Sequence, residues 1–325
     1  MELKKQTILL TGGTGSFGRA FINYLLLQKT FMGIIRVFSR DEFKQYELQQ
    51  KYPNEQRLRF FIGDVRDAAR LKRAMSGVNI VIHAAALKQI PILEYNPFEA
   101  VKTNISGTQN VIDCAIDLEI EKAILISSDK ACSPVNLYGA TKMVAEKIFV
   151  QGNAYVGRGK TKLSVVRYGN VMASRGSVVP KFLQQTKSNV LTITDEEMTR
   201  FWITLDEGVK FVLASFTTTK MSGGEIFVPK LPSVKIVDLA KAIAPNAKFK
   251  IVGIRPGEKL HEMLISEDEA RHTLDCGSYF VIKPEFSWWR EKIKNGKRLK
   301  DGFNYTSENN SHWLTVSRIK VLLRK

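Results

Sequence analysis

The chain has 325 residues, 44% of them hydrophobic, with 49 Lys and Arg against 32 Asp and Glu for a formal net charge of +17. That length and apolar content suffice for one large core, or for one core with a smaller lobe. The longest apolar runs, KAILIS and VNIVIHAAA, fall far short of the roughly 20 residues that span a bilayer, so no membrane association is expected. The N-terminus MELKKQTILLTGG enters a strand pattern at once, without a signal-peptide pattern ahead of it. Three cysteines, Cys114, Cys132 and Cys276, have neither paired nor metal-ligand spacing. They point to a reducing, cytoplasmic setting and to no metal site. The excess charge attracts polyanions in general. Residues 284–325 hold ten Lys and Arg and four Asp and Glu, so +6 of the total is local. Nothing there resembles a nucleic-acid module, which leaves a generally basic surface and no nucleic-acid partner.

In chain order, strand-like runs occur at 6–13 (QTILLTGG), 33–40 (GIIRVFSR), 57–65 (RLRFFIGDV), 78–86 (VNIVIHAAA), 122–129 (KAILISSD), 163–170 (LSVVRYGN) and 224–229 (GEIFVP). Their apolar residues are consecutive rather than alternating, as parallel strands covered on both faces require. SFGRAFINYLLLQK, DAARLKRAMSG, TNISGTQNVIDCAIDL and LDEGVKFVLASF have helical length and spacing. Alternating β and α predicts an α/β fold, a doubly wound parallel (Rossmann) sheet with a smaller substrate-binding lobe. Residues 1–170 and about 203–230 are assigned to the dinucleotide domain. Residues about 171–202 and 231–283 are assigned to the lobe, and 284–325 to a basic C-terminal segment.

Ligands of such a sheet bind beyond the carboxyl ends of the strands, and the motifs fall there. TGGTGSFG places Gly12, Gly15 and Gly18, with Thr14, Ser16 and Phe17 between them, at the first strand-to-helix turn. The spacing is G-x-x-G-x-x-G and not the dinucleotide fingerprint proper. A strand before it and a helix after it nevertheless suit a pyrophosphate at a helix N-terminus. The second strand ends at Ser39–Arg40, with Lys44 one turn further on, a pair able to clamp a 2′-phosphate. NADP is therefore the expected cofactor, although Asp41 stands where an NAD enzyme keeps an acid. Asp64 and Val65 suit an adenine edge, and HAAALK brings Ala84 and Lys88 past the cofactor.

SSDKACSPVNLYGATK holds Tyr138 and Lys142 one helical turn apart. A tyrosine with a pKa near 10 is a poor base at neutral pH, and a neighbouring ammonium would favour its phenolate. Tyr138 could then remove a hydroxyl proton as hydride leaves the same carbon. The adjacent Asp129 and Lys130 are not needed for that step.

These motifs, with FIGDVRD, KTNISGTQNVI, RYGNV, SRGSVVP, MTRFWIT, GIRPGEKLHE and DGFNYTSENNSHW, resemble one family in order from about residue 6 to 314. It is that of the inverting UDP-N-acetylglucosamine 4,6-dehydratases, extended short-chain dehydrogenase/reductases that begin pseudaminic acid synthesis. The resemblance implies oxidation at sugar C4, loss of water across C5 and C6, and return of hydride to C6. Asp129 is then the acid, Lys130 the C5 base, and Ser128 supports the 4-hydroxyl where the family commonly has threonine. Lys130 must be neutral for this role, and burial, Lys142 and the oxidised cofactor are expected to lower its pKa. Asp129 must hold a proton. The resemblance also assigns Lys88, Asn170, Val178, Thr194, Arg200, Arg255 and Glu258 to the substrate, Arg200 and Arg255 as diphosphate partners, with Asn170 and Val171 beside the cofactor. It implies an oligomer. Met172 and Ala173 depart from the family pattern. His83 and His261, the latter expected in a helix, are read as packing residues. SWWREKIKNGKRLKDGF is left open between a subunit interface and a variable loop. A UDP-sugar 4-epimerase and an NADP-sensing or nucleic-acid-binding regulator are the rival readings.

Overall fold

The computed structural model describes residues 3–172, 177–217, 221–286 and 296–324. The strands are β1 (Thr7–Thr11), β2 (Ile34–Ser39), β3 (Leu58–Ile62), β4 (Ile80–His83), β5 (Lys122–Ser128), β6 (Lys162–Tyr168), β7 (Asn170–Val171), β8 (Val190–Ile193), β9 (Thr199–Ile203), β10 (Ile226–Pro229), β11 (Ser233–Lys235), β12 (Lys248–Ile251), β13 (Met263–Ile265), β14 (Thr273–Asp275), β15 (Tyr279–Ile282), β16 (Lys297–Arg298) and β17 (Tyr305–Thr306). All seven strand runs read from the sequence form strands, each at least one residue shorter than its run.

The main sheet runs β3-β2-β1-β4-β5-β6-β10-β15-β14-β16. The seven members from β3 to β10 are parallel to one another. After β1 the chain moves outward through β2 and β3, then returns to β4 on the other side of β1. The switch point therefore lies between β1 and β4, where a crevice opens at the strand ends. The central strands are covered on both faces, and Ile8, Leu9, Leu10, Ile80, Val81, Ile82, Ala123 and Ile124 have no exposure.

The helices follow their apolar stripes. Ser16–Leu27 buries Gly18, Phe21, Ile22 and Leu25, a spacing of three, four and seven that lays one face on the sheet. Leu137–Gln151 starts where the Asn136 side chain accepts a hydrogen bond from Gly139 N at 2.7 Å. It turns Lys142, Ala145, Glu146 and Phe149 inward. The segment expected as one helix over 103–118 is a π-helical turn, Lys102–Ser106, running into the helix Gly107–Asp117.

A second apolar cluster forms the lobe around Val179, Phe182, Leu191, Ile193, Trp202, Val234 and Leu239. It is roofed by β11-β9-β7 and the β12-β8 pair. The boundaries drawn from the sequence shift here. Residues 273–282, expected in the lobe, form β14 and β15 and extend the main sheet antiparallel beyond β10. The C-terminal segment is divided. β16 joins the main sheet, β17 pairs with β13, and the helix Val316–Leu323 puts Ile319 into the lobe core. Residues 173–176, including Ala173 and part of SRGSVVP, and residues 287–295, most of the tryptophan–lysine stretch, lie outside the described residues. Among the described residues no helix is long and apolar enough to cross a membrane, and no cluster of three or more His, Cys, Asp or Glu could hold a metal ion.

Candidate active site

A cleft of about 580 Å³ lies at the switch point. Its lining includes Gly12, Thr14, Gly15, Ser16, Phe17 and Gly18 from the first turn, and Ser39, Arg40, Asp41 and Lys44 from the second. Asp64, Val65, Ala84, Lys88, Asn170 and Val171 follow, then Ser128, Asp129, Lys130, Tyr138 and Lys142. The sequence-derived cofactor and catalytic residues thus share one cavity. Val178, Thr194, Arg200, Arg255 and Glu258 lie outside its lining.

The dinucleotide wall is a backbone surface. Gly12 has φ +67°, and a Cβ there would come within 2.9 Å of the Ala85 backbone, so only glycine lets this turn meet the strand-four loop. Gly15 caps the helix Ser16–Leu27 without a side-chain acceptor, an arrangement that suits an anionic pyrophosphate. Asp41, the acid that counted against NADP, is committed. Its carboxylate caps the helix Glu42–Lys51 by accepting from Lys44 N at 2.9 Å, and it also pairs with the Lys44 ammonium. Those bonds hold its carboxyl below the ordinary value. Asp64 is bound to Arg66 at 2.7 Å, with Arg40 at 3.6 Å. Five cleft side chains, Thr103, Ser127, Asp129, Asn170 and Ser177, have buried oxygens without a partner among the described residues. Such oxygens fit a polar ligand in this cleft, and the glycine surface fits a dinucleotide.

The chemical wall begins where β5 ends. Ser128 Oγ accepts from Lys130 N at 3.2 Å and so shapes the short turn Asp129–Ala131. That turn lies directly against the helix bearing Tyr138, since a Cβ on Gly139 would sit 2.4 Å from the Lys130 carbonyl oxygen. Lys142 donates to Ile126 O at 2.7 Å, and burial lowers its pKa to about 8 against the pull of Glu146. The expectation for Tyr138 is corrected. Burial raises the phenol, and the opposing influences are the Ser128 hydrogen bond and the Lys130 charge. The Lys142 ammonium is anchored on a backbone carbonyl instead.

Asp129 is almost fully buried, with Oδ1 at 2.9 Å from Lys130 Nζ and Oδ2 without a partner. Burial raises its carboxyl above the usual range, and the charge of Glu262 pushes the same way against Lys130, as the protonated role requires. Lys130 departs from expectation. Burial alone would lower it, but Asp129 and Glu262 outweigh burial and the net direction is upward. Glu262 was not foreseen. It comes from the GEKLHE stretch, which is not a helix but an irregular approach to β13, and its Oε1 stands 2.8 Å from Lys130 Nζ.

That stretch reaches the catalytic segment twice more. Asn136 Nδ2 donates to Gly257 O at 2.7 Å, and Lys259 Nζ donates to Cys132 O at 2.6 Å. Arg200 is corrected too. Its guanidinium donates to the carbonyls of Thr199, Leu260 and Lys259 at 2.6, 3.0 and 3.0 Å, and its Nε lies 3.6 Å from Glu262. It is buried as a brace, with three of its N–H groups given to backbone carbonyls. Arg255 stays exposed and pairs with Glu258 at 2.5 Å. Val178 opens the helix Val178–Gln185, and Thr194 follows β8, both half-buried.

The histidines pack. His83 Nδ1 meets Thr11 Oγ1 at 2.7 Å and Nε2 meets Thr108 Oγ1 at 3.1 Å. Burial, with Lys142 adding, lowers its pKa to about 3. His261 bonds Thr199 Oγ1 at 2.9 Å. Asn104 was also missed. It holds the strand-four loop through Leu87 N and O at 2.8 and 2.9 Å, and Thr141 at 3.0 Å. The π-helical turn that carries it is of a kind often found at functional sites, but periodicity alone does not reveal one.

A doubly wound sheet, a glycine cradle at its switch point and a Tyr-x-x-x-Lys pair in the same cleft make this an extended short-chain dehydrogenase/reductase. Within that class, residues 8–284 match the family described as polysaccharide biosynthesis protein, and the chain belongs to that family. It is 50% identical to a Campylobacter jejuni protein named UDP-N-acetylglucosamine 4,6-dehydratase (inverting), over 98% of this chain and 97% of the relative. A Rickettsia akari protein named UDP-glucose 4-epimerase is 40% identical over 98% and 95%. Among solved structures, Pen from Bacillus thuringiensis superposes with a TM-score of 0.89 at 36% identity, covering 100% of this chain and 99% of that one.

Proposed function

We propose that the protein is an inverting UDP-N-acetylglucosamine 4,6-dehydratase that uses NADP. The observation that carries this reading is the buried Asp129–Lys130 pair in the cleft that also holds Tyr138 and Lys142. A plain epimerase has no use for a second acid and base. When bound, the nicotinamide cofactor supplies a hydride acceptor at C4 and a hydride donor at C6. Gly12, Gly15 and Gly18 would hold its pyrophosphate, and Arg40 with Lys44 its 2′-phosphate.

Tyr138 takes the proton of the 4-hydroxyl, which Ser128 steadies. The resulting C4 ketone acidifies the C5 hydrogen. Lys130 and Asp129 reach their working states in one move, because a proton passing over the 2.9 Å from Nζ to Oδ1 leaves a neutral amine and a protonated carboxyl. Lys130 then removes the C5 proton, and Asp129 protonates the departing O6 so that water leaves. Once C6 is reduced, a solvent proton added to C5 on the face opposite Lys130, with the Lys130 proton released to solvent, gives UDP-2-acetamido-2,6-dideoxy-β-L-arabino-hex-4-ulose. Such a product would begin pseudaminic acid or a related glycan.

A second copy of the chain is the proposed partner. The helices Ile90–Tyr95 and Pro97–Val101 expose Ile92, Tyr95 and Phe98, a patch of the kind that marks an interface. Cys114, Cys132 and Cys276 are not joined in disulfides, which fits a cytoplasmic setting.

The test is incubation with UDP-N-acetylglucosamine in D₂O, followed by proton NMR. The expected product is a 4-keto-6-deoxy sugar with deuterium at C5 and couplings of the L-arabino isomer. A C4 epimer without a new methyl signal would replace this reading with the epimerase named among the relatives.

A further inference from the structure

Glu262 is a buried charge beside the cleft cluster that the mechanism above leaves unused. Its side chain is 1% exposed. Its backbone is fixed from both directions, with Glu262 N donating to Ser307 Oγ at 2.9 Å and Ser307 N donating to Glu262 O at 2.8 Å. Oε1 lies 2.8 Å from Lys130 Nζ and 3.6 Å from Arg200 Nε, while Oε2 is buried without a partner among the described residues. Lys130 therefore stands between two carboxyl groups, Asp129 from its own turn and Glu262 from the opposite wall.

The other charged or titratable groups facing this cluster are few. Tyr138 approaches from the helix Leu137–Gln151, Arg200 from β9, and Lys259 from the same loop as Glu262. Arg200 and Lys259 both favour an ionised Glu262, as does Lys130, against the cost of burial. A buried carboxylate fixed behind a base directs that base and stabilises the cation formed when it accepts a proton.

Resting on the dehydratase reading, we infer that Glu262 is a positioning residue, the third member of the acid/base set, which clamps the Lys130 amine toward the sugar and governs the pH at which it gives up its proton. No bond changes at Glu262 itself. It remains a carboxylate while the N–H bond of Lys130 breaks and forms. Its distance of 132 positions from Lys130 in the chain makes the clamp a contact between the walls of the cleft, so it exists only when the lobe is seated.

The experiment has two readouts on the full chain, one independent of turnover. The first is the pH dependence of Lys130 acetylation by acetic anhydride, followed by mass spectrometry, in wild type and in Glu262→Gln. Losing an anion at 2.8 Å makes the ammonium easier to deprotonate, so the labelling midpoint should fall by at least one pH unit. Glu262→Asp, which keeps the charge on a shorter arm, should lie between the two and serves if the glutamine variant does not fold. The second readout is the pH profile of dehydration, whose acidic limb should move in the same direction while reduction of the cofactor on first contact with substrate persists.

An unmoved labelling midpoint in both variants overturns the inference. So does a dehydration profile that keeps its limb while overall activity falls, which is the sign of a merely structural glutamate. A shifted midpoint in a protein whose wild type forms no 4-keto product upholds the clamp and defeats only the dehydratase reading.

Discussion

The two walls of the cleft are built on different physical terms. The sheet-side wall is local. Its glycine turn, its Ser-Asp-Lys turn and its Tyr-x-x-x-Lys helix each come from one short stretch at a strand end, and the parallel core behind them holds each in place. The lobe-side wall is a loop without regular structure from 252 to 262, seated by single polar contacts to Lys130, Cys132 and Asn136. On the proposed reading, the sheet side presents the reacting groups and the lobe side sets their charge.

The largest expected effect lies on the sheet side. Lys130→Ala should reduce formation of the 4-keto product by about 10²–10⁴-fold, the usual contribution of a positioned general base. Cofactor and UDP-sugar binding, measured by titration, should persist. Full turnover in this variant would remove Lys130 as the base and leave the two walls without their division of labour.

Next is the tie behind both walls. The Arg167 guanidinium is fully buried and bonds Glu146 at 2.5 Å, Glu269 at 2.8 Å and the Leu264 carbonyl at 2.9 Å. It joins the Tyr138 helix to the segment following β13. Burial holds the Glu269 carboxyl up, but Arg167 prevails and lowers its pKa to about 2. Arg167→Met strands two buried carboxylates, so stability should fall by about 3–5 kcal/mol, read from the denaturation midpoint. Adding Glu146→Leu should restore part of the loss.

Acid should act on the walls in sequence. His83 on the sheet side has a folded pKa of about 3 against 6.5 unfolded. In between, the unfolded chain binds a proton that the folded one refuses, so stability falls as pH drops from 6.5 toward 3. Glu269 behaves as a depressed carboxyl, contributing fully above 4.5 and losing that contribution as pH falls toward about 2. Each pH unit within such a window is worth ~1.4 kcal/mol. The unfolding midpoint should decline below pH 6.5 and more steeply below 4.5. His83→Gln should flatten the decline between pH 6.5 and 4.5 and lessen it from there to about 3, leaving the Glu269 contribution.

The same contrast explains what the sequence disclosed. The sheet-side motifs at the strand ends had short-range signatures, the π-helical turn that carries Asn104 excepted. Consecutive apolar residues marked β1, β4 and β5, glycine spacing marked the first turn, and a four-residue interval marked Tyr138 and Lys142. Lobe-side features are single contacts between distant segments, which leave no periodicity. Glu262 was one acid in GEKLHE until folding set it against Lys130. Arg200 looked like a phosphate ligand because a guanidinium suits phosphate, yet β9 buries every one of its five residues, Arg200 included, so its donors turn to backbone carbonyls. The only sequence hint of Glu262 was an acid directly before the apolar run MLI. The same blindness to distant pairing placed β14 and β15 in the lobe, where nothing local showed that they would add to β10.

The smallest effect concerns the cofactor and tests whether the sheet-side wall selects as well as holds. Arg40 is half exposed at the end of β2 and lies 3.6 Å from Asp64, which already has Arg66 at 2.7 Å, so its guanidinium can turn to a 2′-phosphate at little cost. Asp41 already accepts from Lys44 N and pairs with the Lys44 ammonium, so its charge is partly neutralised before any ribose hydroxyl reaches it. Arg40→Ala should weaken NADP binding about tenfold, or ~1.4 kcal/mol, and leave NAD binding unchanged, as measured by fluorescence titration of each cofactor. Solvent screening at this exposed position keeps the loss modest. Equal weakening of both cofactors would assign Arg40 to the adenine or its ribose ring. No loss for either would return Arg40 to the surface and leave selection, if any, to Lys44.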